Sequence, residues 1–145
     1  GPWSAQAAVG LPIPTVYGQK YHSVIMKSQR VLNQAVFFQG CGDPEVYPRP
    51  DGDVYVTGFP DSPEIINEKP GEVEVREDVC RDLVNAVRQT SSEMESARLT
   101  KLQSCHLPVS MDGDPIMGAV PGVEGAYVAT GHSCWGILNS PGSGL

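Results

Sequence analysis

Near its end the chain reads Gly-Ala-Tyr-Val-Ala-Thr-Gly-His-Ser-Cys-Trp-Gly-Ile over residues 125–137, a strand-like run that stops in two glycines bracketing His132, Ser133, Cys134 and Trp135. Tyr127 and Val128 favour a strand, while Gly131 and Gly136 permit backbone angles or close approaches that a β-carbon would block. A strand that passes through such a turn into a helix can aim backbone N–H groups at a ligand. The same residues also suit an ordinary tight turn. Cys105-His106 and His132-x-Cys134 would together supply four nitrogen and sulfur donors of the kind zinc accepts. Neighbours on a strand point to opposite faces, however, so joint ligation by Cys105 and His106 is awkward and no metal is expected. Nothing resembles a Ser-His-Asp set, and there is no HExxH helix.

The elements that must carry these residues are bounded by composition. The chain has 145 residues, enough for one ordinary domain with a real core. Its formal net charge is −7 and no Lys/Arg cluster is present, which argues against a nucleic-acid surface. Acidic residues concentrate between Asp61 and Glu77, consistent with a solvated loop and a helix start. Cys41, Cys80, Cys105 and Cys134 lie far apart, with no CxxC pair and no Asn-x-Ser/Thr sequon. Thiols in a reducing, cytoplasmic setting are therefore expected. No apolar run approaches the roughly 20 residues that span a bilayer, so no membrane segment is expected. The opening GPWSAQAAVGLPIP has no initiating Met and no signal-peptide pattern. The expectation is a soluble piece of a longer chain.

Residues 1–16 read as a loop and connector, since Pro12 and Pro14 exclude regular helix. Residues 17–28 and 35–40 read as strands, and residues 45–59 as a hairpin turning at Asp51-Gly52. Tyr47, Val54 and Val56 share its packed side if the register is regular, and Pro48 and Pro50 mark the first arm as an edge or an interruption. Residues 77–94 form the best helix, with Val79, Leu83 and Val87 every four residues and Cys80 and Val84 beside them. Residues 98–109 return to strand character, Asp112-Gly113 is a turn, residues 125–130 form the last strand, and a helix starts from Ser133. The pattern is α+β or mixed α/β.

Three separated stretches resemble the FAD-dependent oxidoreductases of the D-amino-acid oxidase family. GPWS at 1–4 resembles the end of that family's ATG-x-W-S strand and loop. Residues 105–132, CHLPVSMDGDPIMGAVPGVEGAYVATGH, resemble its RP-x-x-x-DG-x-P-x-IG … ATGH run, and GHSCWGI at 131–137 resembles its flavin-facing turn. The wording ATGHSCWGIL is most similar to a subgroup of oxidoreductases with mostly unassigned substrates. The resemblance implies a fragment of a two-domain enzyme: 1–16 ends the FAD-binding domain and connects, 17–104 is a mostly antiparallel substrate-binding sheet, and 105–145 returns to the FAD-binding domain. It implies FAD as cofactor, with Trp3, Cys105, Gly131, His132, Trp135, Gly136 and Ile137 as cofactor-binding residues. It also implies hydride transfer from a carbon bearing nitrogen, in a small amine or amino-acid-like substrate, to the flavin.

The departures from the family pattern are informative. The G-x-G-x-x-G dinucleotide unit is absent from these residues, so the fragment alone is expected to be inactive and to bind FAD poorly. The Arg that the family places before the Pro of its RP motif is Leu107 here, which offers no fork to a carboxylate; Arg30 or Arg49 would have to compensate. Cys105 stands seven residues before Asp112, the spacing at which the sarcosine-oxidising branch carries its flavin as a thioether, so covalent attachment is an expectation to test. No residue stands out as a catalytic base. A non-catalytic oxidase-like scaffold is the alternative to an enzyme, with a Cys/His metal module behind it.

Overall fold

The computed structural model describes residues 1–3 and 10–145. Residues 4–9, which include Ser4 of the GPWS motif and part of the expected connector, lie outside the described residues. The strands are β1 (Tyr17–Lys27), β2 (Val36–Phe37), β3 (Glu45–Pro48), β4 (Asp53–Gly58), β5 (Arg98–Val109), β6 (Ile116–Ala119) and β7 (Tyr127–Thr130). The helices are α1 (Glu77–Arg88), α2 (Ser92–Ser96) and α3 (Gly136–Ser143), with a 3-10 turn at Ser133–Trp135. Five strands form one sheet in the order β2-β3-β4-β1-β5, and β6 pairs with β7 in a separate two-stranded ribbon. Mixed helix and antiparallel sheet is the α+β architecture read from the sequence. Two compact units result, one of residues 1–20, 62–72 and 106–145, the other of 21–61 and 73–105.

In the second unit the hairpin turns where Asp51-Gly52 predicts, with Gly52 left-handed at φ 83°. Its register pairs Val46 with Val56, Tyr47 with Tyr55 and Pro48 with Val54. Residues opposite each other share a face, so Val46 joins Val54 and Val56 on the packed side and Tyr47 turns to the other. The expectation for Tyr47 is thereby corrected. Val24, Met26, Val54 and Val56 meet Cys80, Leu83 and Val87 of α1 in one apolar core. Burial of each such side chain contributes about 1.5–3 kcal/mol.

Helix α1 follows the four-residue stripe, burying Cys80, Leu83, Val84 and Val87, with Glu77 and Asp78 in its first turn. No side chain of its own N-cap, Arg76, caps it; instead the Arg76 N–H donates to Nε2 of the fully buried His22, at 3.1 Å. The helix stops at Arg88, short of the expected 94. The Thr90 hydroxyl takes the Val87 carbonyl at 2.7 Å, and Ser91 accepts from the Met94 N–H to start α2 afresh. Hydroxyl side chains that bond local backbone in this way end one helix and cap the next. The expected 35–40 strand shrinks to Val36–Phe37, and β6 was hidden by Pro115 and Gly118.

Candidate functional site

The motif at 125–137 folds as a strand, a turn and a helix. β7 ends at Thr130 against β6, with Ile116 opposite Thr130 and Met117 opposite Ala129. Gly131 then takes φ 78°, and an added β-carbon there would meet only ordinary contacts at 3.5 Å or beyond, so the left-handed angle is what calls for glycine. His132 forms a single antiparallel bridge with Val109. Ser133 is also left-handed, at φ 51°, an uncommon state for a serine that sequence reasoning missed. Gly136 sits at an ordinary helical φ of −57° with only the His132 β-carbon nearby, at 3.5 Å. Within these residues Gly136 needs neither special angle nor special room, so only Gly131 is a glycine by reason of its backbone angle.

Helix α3 begins at this turn, and no side chain caps its N-terminus. Pro141 removes one donor inside it, and the Ser140 hydroxyl supplies the missing bond to the Ile137 carbonyl, at 2.9 Å. His132 Nε2 lies 3.0 Å from the Ser143 hydroxyl, which itself donates to the Asn139 carbonyl. The single hydroxyl proton being so committed, the imidazole nitrogen is the donor of that pair. The turn and helix wall a cavity of about 380 Å³, together with Gly1, Pro108, Ser140 and Ser143. Thr130 is buried at its edge, and its hydroxyl oxygen has no hydrogen-bond partner among the described residues.

Gly131, His132 and Gly136 of the expected cofactor residues line this cavity. Trp135 and Ile137 do not; they are 58 % and 93 % exposed. Trp3 lies in another cluster, where its indole N–H donates to the Glu68 carbonyl at 2.8 Å and its ring meets His106 edge-on at 5.8 Å. The Glu68 carboxylate takes Lys20 Nζ at 3.0 Å on one oxygen and His106 Nε2 at 2.7 Å on the other. Sequence reasoning missed this group. Its one signal was Lys20 in strand phase with Gly18 and His22, all three buried.

Cys105 is exposed while His106 is buried, as alternation on β5 requires. Among the described residues no three His, Cys, Asp or Glu side chains are grouped to hold a metal ion, and no cysteine is in a disulfide. Among the described residues no helix is long and apolar enough to cross a membrane. Of the two arginines that could stand in for position 107, Arg30 pairs with Glu93 at 2.9 Å and Arg49 lies over the Tyr55 ring at 5.7 Å. The Ser110 hydroxyl reaches the Asp114 carbonyl at 2.6 Å and the Asp112 carboxylate at 2.9 Å, and Asp112 also accepts from the Asp114 N–H, a self-contained turn.

Known proteins share this arrangement. The chain is 33% identical over 159 residues to "Putative oxidoreductase TDA3" of Saccharomyces cerevisiae, covering 99% of this chain and 29% of that protein. The crystal structure of glycine oxidase from Geobacillus kaustophilus superposes with a TM-score of 0.82 at 27% identity, covering all of this chain and 38% of that one. Iminodiacetate oxidase from Chelativorans sp. BNC1 shares the fold, with a TM-score of 0.73 at 22% identity over 99% of this chain and 38% of that one. The chain thus spans about a third of the length of the proteins it matches. Residues 1–145 match the family model for FAD dependent oxidoreductases (DAO), and with this strand, left-handed glycine and helix in place, the chain belongs to that family.

Proposed function

We propose that this chain is the substrate domain and the closing cofactor contacts of an FAD-dependent oxidoreductase that oxidises a C–N bond in a small amine or amino-acid-like substrate. The observation that carries the reading is the uncapped start of α3, set behind left-handed Gly131 at the edge of a cavity, in a chain of this family. The residues fit such a group. Backbone donors at a helix start and an unpartnered, buried Thr130 hydroxyl are what a polar ring edge arriving from outside the chain would meet. Residues 1–16 and 105–145 are assigned to the FAD-binding side and 17–104 to the substrate side.

FAD supplies the hydride acceptor. The backbone N–H groups at the start of α3 would stabilise negative charge that builds on the ring edge, before the reaction begins. His132 is held by Ser143, which orients it and commits one ring nitrogen. Gly131, His132 and Gly136, which line the cavity, would border the ring. Trp3, Trp135 and Ile137 would complete its surroundings together with the rest of the protein. Leu107 cannot grip a carboxylate, so a substrate that carries one would need a cation from elsewhere in the protein to hold it. The named oxidases of glycine and iminodiacetate support a small nitrogen-bearing substrate class. Four widely spaced cysteines with no CxxC pair favour a reducing, cytoplasmic compartment.

The test uses the full-length protein. It should purify yellow, or take up FAD stoichiometrically, and bleach under anaerobic conditions with a secondary or primary amine. A full-length protein that stays colourless and never takes up FAD would favour the non-catalytic scaffold. Acid precipitation decides the linkage at Cys105: colour that stays with the precipitate and is lost in Cys105→Ala means a thioether, and colour that is fully released means none.

A further inference from the structure

Residues 59–76 connect β4 to α1 with no helix or strand of their own. Loops of that length without regular structure are uncommon and usually have a task. Its middle, 62–72, belongs to the same compact unit as Trp3, Gly18, Lys20 and His106. It is seated there at two places. Gly18 and Glu64 exchange paired backbone hydrogen bonds of 2.8 and 3.0 Å, and Glu68 carries the carboxylate between Lys20 and His106. Residues 62–65, 67 and 69–72 are exposed, so the seat rests on buried Ile66 and half-buried Glu68. Ile66 lies over Gly18 so closely that a β-carbon there would collide with it and would come within 2.9 Å of His106 Nδ1.

We propose that residues 62–72 are a strap whose seat depends on the Glu68 carboxylate, and that Glu68, through His106 and its own carbonyl, is the positioning residue for Trp3. Lys20 is 6 % exposed and His106 3 %. An ammonium so buried needs its counter-charge, and removing one partner of such a pair costs far more than replacing both. An ionised carboxylate only accepts, so His106 Nε2 carries its proton toward Glu68 and the pair fixes the ring against which Trp3 stands edge-on. The Glu68 carbonyl at the same time receives the Trp3 indole proton. One residue thus sets the strap and the tryptophan together.

Hydrogen exchange followed by mass spectrometry on the full-length protein tests this. Glu68→Gln keeps the shape and removes the charge, and should speed exchange across 62–72 by about ten-fold or more, leaving 53–58 and 77–88 unchanged. Adding Lys20→Met should bring most of the protection back, because the stranded ammonium is gone. Gly18→Ala should open the same segment by collision, and Lys20→Met should not repair it. Trp3 should become accessible to a fluorescence quencher in Glu68→Gln, with Trp3→Phe protein identifying its signal. Unchanged exchange at 62–72, an equal rise everywhere, or no recovery in the double variant would overturn the proposal. The strap does not depend on the cofactor: wild-type protein that binds no FAD sinks the proposed function and leaves these readings to decide the strap.

Discussion

The two compact units are built from different materials. In the unit of residues 21–61 and 73–105, the interior is Val24, Met26, Val54, Val56, Leu83 and Val87, each at most 1 % exposed. In the unit of 1–20, 62–72 and 106–145, buried apolar residues are fewer among the described residues, Val16, Ile66 and Val120 being examples, while Lys20, His106, Ser110 and Thr130 are buried as well. That second unit also leaves Met117, Tyr127, Trp135, Ile137 and Leu138 more than half exposed. One is held by area removed from water, the other by hydrogen bonds, charge and backbone angles. Each should therefore be sensitive to a different kind of substitution.

The largest effect is expected where volume matters. Leu83→Ala, at a fully buried position, should cost about 2–5 kcal/mol, the range for opening a cavity in a packed core. Ile137→Ala, at a position 93 % exposed, should stay within about 0.5 kcal/mol. Urea denaturation of the two variants beside the wild type measures both. Equal losses would break the comparison.

The next effect separates two glycines that look alike in sequence. Gly131→Ala forces a side chain into φ 78° and should cost about 1–2 kcal/mol. Gly136→Ala keeps a helical φ of −57° and should be neutral or stabilising by up to about 1 kcal/mol. In the full-length protein, Gly131→Val should also lose flavin while the five-stranded sheet stays folded, by the same denaturation assay and by bound colour. A costly Gly136→Ala with an innocuous Gly131→Ala would reverse the assignment.

How much was legible in sequence follows the same division. Strand period, the Asp51-Gly52 turn and the four-residue stripe of α1 were readable because apolar burial imposes them along short stretches. The helix end at Arg88 was missed because Thr90 and Ser91 bind local backbone, which a stripe continuing to Met94 conceals. Tyr47 was put on the wrong face because face depends on cross-strand register, fixed only when Val46 meets Val56. Around residue 131 the strand, the glycine turn and the helix start were legible from the motif. The Lys20–Glu68–His106 group was not, since its members are distant in sequence and meet only in the fold. Ser133 gave no sign of its left-handed angle.

A smaller effect concerns the thiol in the apolar unit. Burial first, then the charges of Asp78 and Glu77, push the Cys80 thiol above its ordinary 9.0, against a bond from the Gln103 backbone. A raised folded value means the contribution is complete below pH 9.0 and is lost as pH rises through the folded value. Cys80→Ala should therefore flatten the alkaline limb of a melting-temperature profile. At neutral pH, a thiol reagent should label exposed Cys41, Cys105 and Cys134 readily and reach Cys80 only on unfolding. Rapid labelling of Cys80 in folded protein would show that its unit opens far more often than its core implies.

The smallest effect lies in the polar unit, at the Ser110–Asp114 turn. The Asp114 N–H, then the Ser110 hydroxyl, hold the Asp112 carboxyl below its ordinary 3.8. A depressed folded value means the contribution is present above pH 3.8 and is lost as pH falls through the folded value. Asp112→Asn preserves an acceptor oxygen for both donors and removes only the charge that strengthens those bonds. The side chain is exposed, so solvent screens the gain and the difference in melting temperature should be slight. It should nevertheless shrink toward zero as pH is lowered past 3.8, and amide exchange at Asp114 should rise in the variant at neutral pH but not in acid. A difference that stays constant through the acid range would mean the turn is held by its shape alone, and the polar unit would then depend on charge at Glu68 but not here.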